Sequence, residues 1–273
     1  MILRDILNQP IPDFTAARQA KFGFREHPIL HSGMHVDEPL VDIAQYGIAG
    51  QSYYSRDNDA TKGPVAGIDP TVYVRRSIAE RLAEINRTLQ EAPEVAEIFG
   101  GEVELFVQEG FRPVPLQKEL YETVFPRLIR AQYPDWTSEQ VARRRDQMIA
   151  DPTCTADSPP PHATGAAVDV TVRYKDQDMG FVKARFVDMG RKTTDMGSVA
   201  DPDYYEYNPE AKKLKPAQAH RRAFYWIMRG AVLGDDTGFV VNPTEWWHWS
   251  YGDQLWAELT QAPAAFFGEA QTV

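Results

Sequence analysis

The chain of 273 residues carries 29 basic and 39 acidic side chains, and its net charge of -10 disfavours nucleic acid and anionic membrane, which select basic surfaces. A composition of 43% hydrophobic and 25% charged residues, without a low-complexity tract, is that of a folded chain able to bury a substantial core. Cys154 stands alone, which excludes an internal disulfide and a cysteine-based zinc site; with no secretion-type leader in MILRDILNQPIPDF and no long apolar run, a reducing cytoplasm is the expected location.

The first segment, 1–70, is loop-rich, because Pro10, Pro12, Pro28, Pro39, Pro64 and Pro70 break any long element. Val74, Ile78, Leu82, Ile85 and Leu89 then recur at helical spacing, with Arg75, Arg76, Glu80, Arg81 and Glu84 between them and Pro93 past the end. Residues 103–107 read as a strand that turns at Gly110 into Phe111-Arg112-Pro113. Residues 115–150 form a helical region in two pieces, the first interrupted by Pro126 and Pro134. The second opens on a capping box, in which Thr137 and Gln140 satisfy each other's orphan N–H groups. It carries the one basic cluster, Arg143-Arg144-Arg145, read as a solvated helix face.

A loop over 151–161 ends in Pro159-Pro160-Pro161, stiff and extended. Strands are expected over 167–172 and 182–187, a long polar loop over 190–215, and a helix over 217–231. The chain finishes with a short strand at 239–241 and the aromatic run 245–251. Helices gather before residue 150 and the clearest strands after 165, without regular alternation. That pattern predicts an α+β fold, a central antiparallel sheet with flanking helices, and not a doubly wound parallel sheet. No repeat and no linker divides it, so one domain is expected over 1–273.

There is no phosphate loop, dinucleotide fingerprint, nucleophile elbow or His-Glu-x-x-His in the sequence. Of the six histidines, His27, His31 and His35 are spaced by four, but Pro28 and Ser32-Gly33 break the helix that would align them. His220, beside Arg221 and Arg222, reads as a surface or packing residue. His162 follows the rigid prolines and precedes Gly165 and a strand carrying Asp169; an odd spacing of seven puts the two side chains on opposite faces unless a turn intervenes. In Glu245-Trp246-Trp247-His248 the aromatics suit a half-buried strand, and a bend is needed for Glu245 and His248 to face one site. Alone, the His162 and Asp169 pairing is a weak signal, and the Glu245 to His248 segment is equally an amphipathic core strand with a glutamate at its wet end. Together they supply two imidazoles, one ligand carboxylate and one spare carboxylate, the inventory of a catalytic zinc with its base.

The stretch from His162 through Gly165 to Asp169 resembles the His-x-x-Gly-x-Ala-x-Asp motif of the zinc D-alanyl-D-alanine metallopeptidases, and Glu245-Trp246-Trp247-His248 resembles their Glu-x-Trp-His. The match is nearest to the D-Ala-D-Ala dipeptidases, whose early loop, Asp-Gly-Tyr-Arg-Pro segment and Met-Gly segment resemble Asp57-Asn58 through Gly63-Pro64-Val65, Glu109 through Pro113, and Asp188-Met189-Gly190. The resemblance implies an α+β fold shared with the hedgehog signalling domain, and a zinc ion held by His162, Asp169 and His248. It further implies Glu245 as the base that moves a proton from water to the departing amine, Arg112 as the group that stabilises the oxyanion, and Asp195 as the partner of the substrate ammonium. The substrate is then a small D-residue dipeptide from peptidoglycan turnover or D-alanine recycling. Pro160-Pro161 stands where the family commonly has Ser-Ser, and Thr194 where a phenylalanine is usual; both bear on substrate recognition. An amidase or carboxypeptidase on another D-residue peptide, a non-haem iron oxygenase using the same two histidines and carboxylate, and a non-catalytic binding module are the alternatives. Oligomeric state is left open.

Overall fold

A computed structural model describes residues 2–33, 35, 37–58, 60–175, 185–190, 196–208, 215–234 and 236–271. Its strands are β1 (Leu40–Asp42), β2 (Ala49–Gly50), β3 (Tyr73–Arg75), β4 (Val103–Glu109), β5 (Ala167–Tyr174), β6 (Val240–Asn242) and β7 (Glu245–Ser250). β1 and β3 form an antiparallel pair, and the other five form one sheet in the order β2-β4-β5-β7-β6. Helices surround it, so the α+β expectation holds at that level. The sheet is mixed, however, and not wholly antiparallel as expected: β2 runs parallel to β4, while the remaining neighbours are antiparallel. A strand of two residues carries no periodicity to read. Its place is set by Gly50, which lies so close to β4 that a Cβ there would collide with the Val107 carbonyl oxygen.

The periodic helix spans Arg76–Glu91, and its stripe of Ile78, Leu82, Ile85 and Leu89 is buried against Leu105 and Val107 of β4 and Val168, Val170 and Val172 of β5. Val74 keeps the helical spacing but belongs to β3. The Arg75 backbone N–H donates to the Gly165 carbonyl at 2.8 Å and the Arg75 Nε to the Thr164 carbonyl at 2.7 Å, so contacts from ninety residues away hold the chain extended there. Asn86, buried within the stripe, accepts the Leu105 N–H at 2.8 Å and locks helix to strand. Pro126 does not stop the first helical piece. The backbone stays helical through a π-turn over Leu120–Val124 into Phe125–Gln132, and the wider π-turn just ahead of Pro126 accommodates a residue that has no N–H to give. The capping box at Thr137 forms as read, with N–H···O distances of 3.2 and 2.8 Å.

Half of the strand expected over 182–187 lies outside the described residues; in the other half Phe186 bridges Arg173 in antiparallel sense, with Tyr174 N–H donating to the Arg185 carbonyl at 3.0 Å and Val187 N–H to the Val172 carbonyl at 2.9 Å. Arg143 is exposed, but Arg144 reaches the carbonyls of Met196 and Gly197 at 2.6 and 2.9 Å, and Arg145 packs over the Tyr121 ring. The basic run is therefore only partly a solvated face. Among the described residues, no helix is long and apolar enough to cross a membrane.

Candidate active site

Strand register alone brings three ionisable side chains into one row, with Glu109 of β4 opposite Asp169 of β5, and Asp169 opposite His248 of β7. His162 joins them from a short 3-10 turn, Pro161–Thr164, that ends at Gly165 in the left-handed conformation with φ of 71°. A side chain at Gly165 would be strained by that φ and would also collide with Leu40. This turn supplies the convergence that a continuous strand denies to residues seven apart. His162 is fixed from both ends: its carbonyl accepts the Arg112 N–H at 3.1 Å, and its Nδ1 donates to the Gly110 carbonyl at 2.9 Å.

Hydrogen bonding sets which ring nitrogens carry lone pairs. The Gly110 carbonyl can only accept, so His162 is protonated on Nδ1 and free on Nε2. Ser250 gives its hydroxyl proton to Asp253 at 2.8 Å, so towards His248 Nε2, 3.4 Å away, it accepts, and His248 is free on Nδ1. The two free nitrogens face each other at 3.1 Å. Asp169 Oδ1 lies 3.5 Å from the first and 3.3 Å from the second, buried and without a hydrogen-bond partner among the described residues. Three electron pairs converging in a buried space repel unless a cation lies among them. Burial, reinforced by Arg112, pushes the His162 imidazole down to about 4, so a ring proton does not serve at neutral pH. Burial also opposes ionisation of Asp169, but positive charge and N–H donation at the two imidazole positions outweigh it and hold its carboxyl below the usual range, so the carboxylate too calls for a cation where the rings carry no proton. Two imidazoles and one carboxylate with ligand atoms this close fit a divalent metal ion.

Glu245 stands beside this cradle because the β6–β7 register slips between Val241 and Asn242, so that Asn242 pairs with Glu245. The irregularity puts Glu245 and His248 at one site, with Oε2 3.9 Å from His248 Nδ1, while Trp246 and Trp247 are buried around them. Burial, with the charge of Asp169 adding to it and positive charge at His248, Lys21 and Arg112 opposing it, pushes the Glu245 carboxyl up to about 7. Arg112 is 5% exposed and no ordinary surface arginine. Its Nη1 donates to Gln117 Oε1 at 2.9 Å, its Nη2 lies 3.7 Å from Asp169 Oδ2, and its guanidinium sits 5.4 Å from the Tyr54 ring centre. Gly110 earns its place just before it: a Cβ there would collide with the Tyr73 carbonyl oxygen.

All five of these side chains line a cavity of about 230 Å³, whose lining also includes the aromatic rings of Tyr53, Tyr54, Tyr121 and Phe125. Asp195 and Thr194 lie outside the described residues. His27, His31 and His35 pair with three different carboxylates, Glu258, Asp157 and Glu38, and form no common site. His220 donates to the Asp188 carbonyl and packs on Phe99. Sequence reasoning missed Tyr54 and Gln117, which hold Arg112, and Lys21 and Asn242, which stand behind Glu245. Asn242 alone left a trace, three residues ahead of the Glu245 motif. Lys21 left none.

A family model described as D-ala-D-ala dipeptidase matches residues 48–266. The chain belongs to this family. A D-alanyl-D-alanine dipeptidase of Synechocystis sp. (strain ATCC 27184 / PCC 6803 / Kazusa) is 30% identical over 231 residues, which cover 81% of this chain and 84% of that protein. The match to the family spans every residue of the cradle, Glu245 and Arg112, whereas Lys21 and the turn that carries it precede it.

Proposed function

We propose that this chain is a zinc dipeptidase that hydrolyses D-alanyl-D-alanine or a closely related D-residue dipeptide. The observation that carries the reading is the set of three convergent, tautomer-fixed ligand atoms with a buried glutamate 3.9 Å away, in a chain of the D-Ala-D-Ala dipeptidase family. His162 Nε2, Asp169 and His248 Nδ1 would hold the ion. A zinc ion bound there supplies a Lewis acid and makes water acidic enough to attack at neutral pH. Glu245 takes the proton of the attacking water and returns it to the amine as the peptide bond breaks. Burial raises the Glu245 carboxyl above the usual carboxylate range, which strengthens it as a proton acceptor, and a bound cation offsets part of that rise. Arg112, unable to deprotonate and held by Gln117, keeps its charge beside the oxygen on which negative charge develops. The buried tryptophans exclude bulk water, which strengthens each of these interactions.

Release of D-alanine from D-Ala-D-Ala, measured beside L,L-, L,D- and D,L-dipeptides and N-acetylated D-Ala-D-Ala, tests the substrate. The free D,D-dipeptide is expected to be preferred; preference for the N-blocked peptide would overturn the dipeptidase reading. The oxyanion role has its own consequence. Arg112→Lys keeps the charge but loses the fork that reaches Gln117 and the reaction centre together, so kcat should fall about 10²-fold with KM nearly unchanged. A change confined to KM would assign Arg112 to substrate binding instead.

A further inference from the structure

Lys21 is the one buried lysine among the described residues, 7% exposed, and nothing in the mechanism above uses it. It enters from the N-terminal side, in the turn Lys21–Glu26, ahead of the region that defines the family. The chain on either side of it is pinned. Arg18 pairs with Asp203 at 2.8 Å, and Arg25 donates to the carbonyls of Thr153 and Ser158 at 2.8 and 3.2 Å. Burying an ammonium is costly unless its donors are met, and burial pushes this one down to about 8. All three are met: Nζ lies 2.5 Å from the Gln147 carbonyl, 2.9 Å from Thr244 Oγ1 and 3.1 Å from Asn242 Oδ1.

The last of these contacts has a consequence for Glu245. An ammonium can only donate, and so can the Thr244 backbone N–H, which points at the same Asn242 Oδ1 from 3.2 Å. Two donor-only groups on one side of the amide fix its orientation, with oxygen towards Lys21 and nitrogen away. Asn242 Nδ2 therefore faces Glu245 Oε2, 2.9 Å away, and must donate to it. A flipped amide would set oxygen against oxygen and drive the carboxylate out of its place beside His248.

We propose that Lys21, through Asn242, is a positioning residue for Glu245, holding the amide N–H against Oε2 so that the carboxylate keeps its place at the reaction centre. Both residues also border the cavity, but the role assigned to them is exercised on Glu245 and not on the reacting atoms. The proposal rests on Glu245 being the base.

Lys21→Met keeps the length and removes the donors, and Asn242→Ala removes the bridge. Each should lower kcat on D-Ala-D-Ala, by about 10-fold and about 30-fold, with KM and bound zinc within twofold of wild type. The double variant should lose about as much as Asn242→Ala alone, because one acts through the other; independent structural roles would multiply to about 300-fold. Asn242→Asp keeps the shape and an acceptor for Lys21, so a merely structural role tolerates it, whereas loss of the N–H facing Glu245 should still lower kcat. It carries the test if Lys21→Met does not fold. Wild-type kcat in Lys21→Met or Asn242→Asp, or multiplicative losses in the double variant, overturns the proposal. Glu245→Gln run in parallel separates the two claims. If that variant turns over substrate freely, the base assignment fails and this proposal falls with it. If it is inactive while the Lys21 and Asn242 variants match wild type, only the positioning role fails.

Discussion

Glu245→Gln is expected to lower kcat about 10³- to 10⁴-fold on D-Ala-D-Ala, roughly 4 to 5.5 kcal/mol of barrier, while KM and bound metal stay near wild type. Glutamine has the shape of glutamate and can still accept from Asn242, but its amide cannot take a proton from water or return one to the amine. Both transfers fail together, so the loss sits in the chemical step and not in binding. His162, Asp169 and His248 are untouched by the change, which is why metal content is the control. The pH dependence follows with a definite sign. The base must be ionised to accept a proton, and its carboxyl is pushed up to about 7 by burial, so kcat/KM rises with pH on the acid side. A bound cation adds positive charge nearby and moves that rise to lower pH. In Glu245→Gln this acid limb should vanish. Steady-state kinetics from pH 5 to 9 with metal analysis decide the matter; turnover above about a tenth of wild type would remove Glu245 from the mechanism.

What the sequence makes legible here is what is local. The helical stripe from Ile78 to Leu89, the Thr137 capping box and the strand through Asp169 are each specified by their own few residues, and each forms. The cradle was legible as an inventory, because the motifs around His162 and His248 carry their own turn and aromatic packing. Its geometry was not. The pairing of Asp169 with His248 depends on β5 and β7 being neighbours in the sheet, and the approach of Glu245 depends on a register slip between β6 and β7 that no single strand encodes. Val74 shows the same limit in reverse: its spacing is helical, yet its pairing with Val41 and the bonds of its neighbour Arg75 to Gly165 and Thr164 hold it in a strand. The parallel pairing of β2 and the burial of Lys21 fail for that reason too, since both are decided by partners from about 55 to over 200 residues away, Val107 for Gly50, and Gln147, Asn242 and Thr244 for Lys21.

Removing metal should abolish turnover and also destabilise the fold, and the second effect is the more telling one. Without a cation, the lone pairs of His162 Nε2 and His248 Nδ1 face each other at 3.1 Å beside a buried carboxylate oxygen, and the bonds to Gly110 and Ser250 prevent either ring from turning a proton inward at no cost. The native state without metal therefore carries a repulsion that the unfolded chain does not. Zinc added back binds the folded form; at a free concentration about a thousand times Kd it contributes about 4 kcal/mol, which for a chain of this size raises Tm by about 8–16 °C. Thermal unfolding of chelated protein, titrated with zinc and separately with magnesium, measures this directly. Magnesium prefers octahedral oxygen ligands and should give little shift, whereas two imidazoles favour zinc. Asp169→Ala leaves two ligands and should lose most of the response. If the chelated protein keeps full activity, or zinc leaves Tm unmoved, the convergence of His162, Asp169 and His248 is a polar packing cluster and the catalytic reading of Glu245 goes with it.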